Sequence, residues 1–151
     1  MLLSVVYRCV DLISNSVAQL PIDLYDAEKR KVLNDLSYVL NSEPNSAMSR
    51  FTFIKLMIGS MILRGDAYAW IERDKNDNVL GLHYVDSTTV GIKVVKDDIK
   101  QYIYYVVGGQ VFESSDMIHL INYTYDGING VSTIRSAINS IKLAGDSESA
   151  A

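Results

Sequence analysis

Val5, Val6, Cys9, Val10, Ile13 and Val17 recur at helical spacing near the start of the chain, with Arg8, Asp11 and Asn15 on the other face. That rhythm predicts an amphipathic helix from Ser4 to Gln19, with Cys9 buried and inert on its apolar face. Pro21 disfavours helical geometry at Leu20 and stops the helix there. Ile22-Asp23-Leu24-Tyr25 then alternates as a strand does. Asp26 to Lys31 reads as a charged turn, Asp35 to Leu40 as a short helix, and Asn41 to Ser46 as a loop dense in turn formers. Ser49 can accept from free amides of a first helical turn. Phe51, Ile54, Ile58, Met61 and Ile62 follow at three- to four-residue spacing. Leu56, Met57 and Leu63 widen that stripe, so this second long helix is expected to be largely buried. Gly65 sits where a left-handed cap belongs.

After Gly65 the period changes from 3.6 to 2. Strands are expected at Ala67–Arg73, Val79–Val85, Thr89–Val95, Gln101–Val107, Gln110–Glu113 and Met117–Ile121, with Asp74–Asn78 and Gly108-Gly109 as tight turns. Short consecutive strands with tight turns imply an antiparallel meander. Asn122 to Gly130 is a loop. Ile134, Ala137, Ile138 and Ile141 mark a last helix from Ser132 to Ala144, with Ser132 as its N-cap. The expected fold class is α+β: an antiparallel meander sheet packed with about three helices. Residues 1–145 form one domain, and 146–151 a frayed tail that has lost all periodicity.

Composition narrows the function. At 151 residues the chain can bury a core without staples. Hydrophobic residues make up 48% and charged residues 21%, which excludes disorder as its main state. The single cysteine excludes an internal disulfide and a multi-cysteine zinc site. Fourteen basic against eighteen acidic residues leave a net charge of -4. A protein that grips nucleic acid through its phosphates needs a basic surface, so weak, salt-sensitive DNA binding at most is expected. The longest apolar-rich run, Phe53 to Leu63, is too short and too interrupted to span a membrane, and the N-terminus does not read as a signal peptide.

No motif assembles into a catalytic, cofactor or metal site. Asp74-x-Asn76-x-Asn78 opens like a calcium loop, but Val79 stands where glycine is needed and Val85 where the closing glutamate is needed. His83 and His119 lie on separate strands without ligand neighbours in sequence, and both read as structural. Asp126-Gly127-Ile128-Asn129-Gly130 precedes a helix but lacks a phosphate-binding lysine. Lys93, Lys96 and Lys100 interleave with Tyr102, Tyr104 and Tyr105, a pattern that can stack single-stranded bases but equally suits a strand. The expectation is no enzyme, no cofactor and no metal.

Four stretches in this order resemble the N-terminal part of tailed-phage portal proteins of the HK97-like family. They are Val6 to Pro21, with its closing Leu20-Pro21; Leu40-Asn41-Ser42-Glu43-Pro44-Asn45 and the Phe51/Phe53 helix; Leu63-Arg64-Gly65-Asp66-Ala67-Tyr68-Ala69, similar to a "GNAY" element; and Asp116-Met117-Ile118-His119-Leu120 followed by Asp126 to Ser132. Thr133 stands where the family usually has proline. The resemblance covers roughly residues 4–144. It implies a structural protein, the wing portion of a portal subunit without the stem and clip that normally follow. The family's subunits ring the capsid vertex, and DNA is packaged and ejected through the ring. Implied partners are neighbouring portal subunits, capsid, terminase and tail or adaptor proteins. DNA passes without being tightly held, and there is no membrane partner. The implied location is the virion, or the bacterial host cytoplasm during assembly or as a prophage product. This segment alone is expected to be a monomer or weak oligomer. The alternative is a free-standing prophage α+β interaction module with no ring-forming role.

Overall fold

The computed structural model describes residues 2–139. Helix α1 (Leu2–Ala18) lies on helix α3 (Arg50–Arg64). It does so through Val10, Ser14 and Ala18, which are buried at four-residue spacing. These short side chains let the helices approach closely: a Cβ on Gly59 would just touch Val10. Lys55 pairs with Asp11 at 2.6 Å across the seam. Arg50 donates from its guanidinium to the carbonyls of Ala18 and Leu20, which satisfies the C-terminal end of α1 and holds the turn into Pro21.

Cys9 is exposed, contrary to the expectation of burial. The apolar stripe of α1 is wider than the side that has a partner. The α3 seam takes Val10, Ser14 and Ala18 and leaves Val5, Cys9, Leu12 and Ile13 facing out.

The segment after Pro21 pairs only at Leu24–Tyr25 (β1), antiparallel with Lys31–Val32 (β2), so the charged turn is the tip of a small hairpin. Helix α2 (Asp35–Asn41) is capped by Asn34, whose side chain accepts from the Ser37 amide. Asn41 then bonds both the amide and the carbonyl of Ile22, standing in for a neighbouring strand.

Ser49 caps α3, accepting from the Thr52 amide, and Gly65 ends it in the left-handed region at φ 98°. Phe53, Met57 and Ser60 are buried along the helix. Phe53 and Met57 pack on Ala67, Ala69 and Leu82 of strands β3 (Asp66–Arg73) and β4 (Val79–Val85). The small Ala67 and Ala69 leave room for the larger side chains opposite them.

The expected meander is divided into two sheets. β3 is the centre of one, flanked by β4 and by β8 (Met117–Ile121), in the order β4-β3-β8. The other is β5 (Val90–Lys96), β6 (Gln101–Val107) and β7 (Gln110–Glu113) in sequence order. β8 returns to β3 with Tyr68 opposite His119 and Trp70 opposite Met117. Period-two alternation sends the two faces of the first sheet to different partners. Ala67, Ala69, Ile118 and Leu120 meet α3, while Tyr68, Trp70 and Met117 meet the inner face of the second sheet through Tyr105, Ile92, Ile103 and Phe112. The molecule is therefore a stack of four layers: α1, α3, the β4-β3-β8 sheet and the β5-β6-β7 sheet.

The outer edge of β4 is closed by the Pro44-Asn45 turn. The Pro44 carbonyl accepts from the Leu82 amide at 2.6 Å, and the Asn45 side chain donates to the Leu82 carbonyl at 2.7 Å. This hides part of an edge that would otherwise invite strand pairing. A last helix, α4, is described over 133–139. Ser132 caps it, accepting from the Arg135 amide. Its expected continuation to Ala144, the contribution of Ile141 and the tail from Gly145 lie outside the described residues.

Candidate functional site

The residues singled out in sequence fall in three places. The Asp74 turn is internally satisfied: its carboxylate accepts from the amides of Asn76 and Asn78 and from the Asn78 side chain. Asp77 at φ 67° completes the tight reversal. His83 bonds Glu72 at 2.7 Å and stacks on Trp70, but both side chains are more than a third exposed, where such a polar contact contributes little. Among the described residues no three or more His, Cys, Asp or Glu side chains gather as a metal site, and no helix is long and apolar enough to cross a membrane.

His119 is different. Its side chain is 7% exposed and its Nε2 lies 2.8 Å from Asp66 Oδ1. Its Nδ1 lies 3.2 Å from the Tyr105 hydroxyl. Tyr68 stacks on the ring at 4.3 Å. The tautomer that donates Nε2–H to the carboxylate has Nδ1 free to accept from Tyr105. Burial pushes the Tyr68 and Tyr105 phenols up, and the Asp66 carboxylate adds to both shifts. The phenols therefore stay protonated and able to donate.

Asp66 Oδ1 accepts a second bond, from the Gly130 amide at 2.8 Å. The Asn122 amide donates to the Gly65 carbonyl, and Ser132 Oγ donates to the Leu63 carbonyl at 2.6 Å. One cluster thus joins the end of α3, both sheets, the 122–131 loop and the start of α4. It holds shape, and its outer side, at Asp66, Gly130 and Ser132, lines an open groove with Arg64 and Arg135. In the sequence His119 stands alone, because Asp66, Tyr105 and Gly130 are far from it in the chain. The available signal was alternation: Asp66 and Tyr68 share a face of β3, and Met117 and His119 share a face of β8.

The loop itself is organised by Asp126, whose carboxylate accepts from the amides of Ile128 and Asn129 and from the side chains of Thr124 and Asn129. These donors hold its carboxyl well below the usual range, the Asn129 bonds contributing most. The 126–130 segment therefore turns its amides inward onto its own aspartate and does not present them to an anion. A carboxyl depressed in the folded state contributes order above its unfolded pKa, about 4, and loses it as the pH falls further. Ile128 and Asn129 amides are expected to be protected from exchange at pH 6 and to lose protection progressively as the pH falls below about 4. Unchanged protection at pH 2 would refute this origin. Thr133 occupies the first position of α4, where proline is well suited. Its hydroxyl instead accepts from Asn122 at 2.6 Å.

The exposed surface carries the other functional candidates. Tyr102 and Tyr104 share one face of β6, opposite Val95 and Lys93 of β5, while Tyr105 turns inward. The interleaved lysines and tyrosines thus divide between the two faces of the sheet, with Tyr102 44% exposed and Tyr105 in the core.

The fold and these motif positions recur in known proteins. The family model described as phage portal protein matches residues 4–151. The portal protein of Enterobacteria phage HK97 is 30% identical, the match covering 94% of this chain and 35% of that protein. A chain in the neck of an empty gene transfer agent particle, computed with C6 symmetry, superposes with a TM-score of 0.72 at 22% identity over 95% of this chain and 40% of its own length. A chain in the neck of the native particle, computed with C12 symmetry, gives 0.64 at 22% identity over 90% and 37%. This chain thus spans little more than a third of the length of these relatives. The helix ending at Leu20-Pro21, the Pro44-Asn45 edge turn, the Gly65-Asp66 junction and the His119 strand all lie within the matched region, and the chain belongs to the phage portal protein family.

Proposed function

We propose that this chain is the wing portion of a portal subunit, one non-catalytic domain over residues 1–145. In the full-length gene product it would help build a ring at the capsid vertex for DNA packaging and ejection. The observation that carries this reading is a family match along residues 4–151, joined to a fold shared with neck proteins of gene transfer agent particles. The chemistry agrees with it. The buried polar cluster fastens layers together, and its histidine side chain is only 7% exposed. A net charge of -4 fits a surface that does not retain a polyanion in transit. Neighbouring subunits, capsid, terminase and tail or adaptor proteins are the partners this role demands, with the virion as its place.

Light scattering and negative-stain microscopy of the full-length gene product test the proposal. The expected result is a ring with a mass near twelve subunits, while residues 1–151 alone run as a monomer or weak oligomer at micromolar concentration. A full-length product that stays monomeric in the same buffers would overturn the portal reading.

A further inference from the structure

The four-layer stack ends in two uncovered apolar faces, one at each end. On α1 the uncovered side follows the spacing Val5, Cys9, Leu12, with Ile13 beside it; Val5 is 55% and Leu12 69% exposed. The apolar stripe of an amphipathic helix is normally turned to a packing partner. At the far end, the second sheet uses only its inner face for the core. Its outer face places Val95 beside Tyr102 and Val106 beside Val111, where a half-buried sheet would ordinarily alternate to polar residues. Among the described residues, nothing covers either face.

We infer that subunits meet head to tail, with the uncovered side of α1 on one copy seated on the outer face of the β5-β6-β7 sheet of the next. This rests on the portal reading and adds the faces that meet. The layer order argues for a second copy as occupant. Stacking α1 of one molecule on the terminal sheet of another repeats the order α1, α3, sheet, sheet without a break. A contact of α1 with α1, or of sheet with sheet, uses one face twice and stops at a pair. Only a contact between two different faces closes a cyclic ring, and the related neck structure was computed with C12 symmetry. Arg8 borders the uncovered side of α1, and Lys93 and Glu113 flank Tyr104 on the outer face of the sheet, one charge of each sign, so apolar contact and not charge carries the pairing.

Cys9 lies in the proposed contact and is a ready probe. In full-length rings with Cys9 as the sole native cysteine, Val95→Cys, Val106→Cys and Val111→Cys are introduced singly and the rings are oxidised. At least one is expected to give a ladder of covalent oligomers beyond the dimer on a non-reducing gel, while Cys9 alone gives none. Intact rings without a ladder from any of the three would overturn the assignment of faces and leave the portal reading standing. A dimer from Cys9 alone would overturn it in favour of a paired α1 contact. Absence of rings would overturn both.

Discussion

Gly65→Val is expected to lower the stability of the protein by roughly 3 kcal/mol or more, and to lower its melting temperature by roughly 6–12 °C. Two costs combine. Gly65 holds φ 98°, a region that disfavours any residue with a Cβ by about 1–2 kcal/mol and a β-branched one most of all. Beyond that, a Cβ at this position would be driven into the carbonyl group of Gly130, backbone that cannot rotate aside. The crowding is mutual, since a side chain on Gly130 would meet the Gly65 carbonyl and Asp66 Oδ1. The spacing of the helix alone indicates only the conformational cost, on the order of 1 kcal/mol. The larger figure follows from the 122–131 loop lying against the cap. Thermal unfolding followed by circular dichroism measures it, and a melting temperature within about 2 °C of the parent would contradict both the cap and the glycine–glycine contact.

Asp66→Ala should be comparably damaging, and Asp66→Asn nearly harmless. The alanine removes the acceptor for His119 Nε2–H and for the Gly130 amide, leaving two donors in a largely buried place. Each unsatisfied donor costs about 1–3 kcal/mol, so a loss of about 3 kcal/mol is expected. An asparagine oxygen can accept both bonds, and asparagine is the residue that the "GNAY" resemblance places here, so Asp66→Asn should stay within about 1 kcal/mol of the parent. The comparison separates geometry from charge. If the asparagine variant fell as far as the alanine variant, the carboxylate's charge, and not its position as an acceptor, would be what the cluster needs. Chemical denaturation of the three proteins decides between these outcomes.

Much of the local structure was legible in the residue pattern. The ends of α3 followed from Ser49 and Gly65, because capping is chemistry between a residue and the few amides or carbonyls next to it. The strands from β3 to β8 followed from a change of period at Gly65 and from turn residues at Asp74–Asn78 and Gly108-Gly109. These are interactions within about ten residues, and the sequence states them directly. The family resemblance also rested on order and spacing along the chain.

The partners of each face were not legible, because they depend on elements distant in the chain. Two strands with the same alternation can pair in one sheet or in two, and here β8 passes over β7 to join β3, which divides the meander. That choice brings His119 to Asp66 and Tyr105, so a histidine without neighbours in the sequence becomes the centre of a buried network. Cys9 shows the same limit from the other side. Its place on the apolar stripe of α1 predicts burial, but α3 packs at the edge of that stripe, where the small residues Ser14, Ala18 and Gly59 let the two backbones approach. Hydrophobic spacing tells a residue that it should leave water; packing against α3 tells it which way to turn.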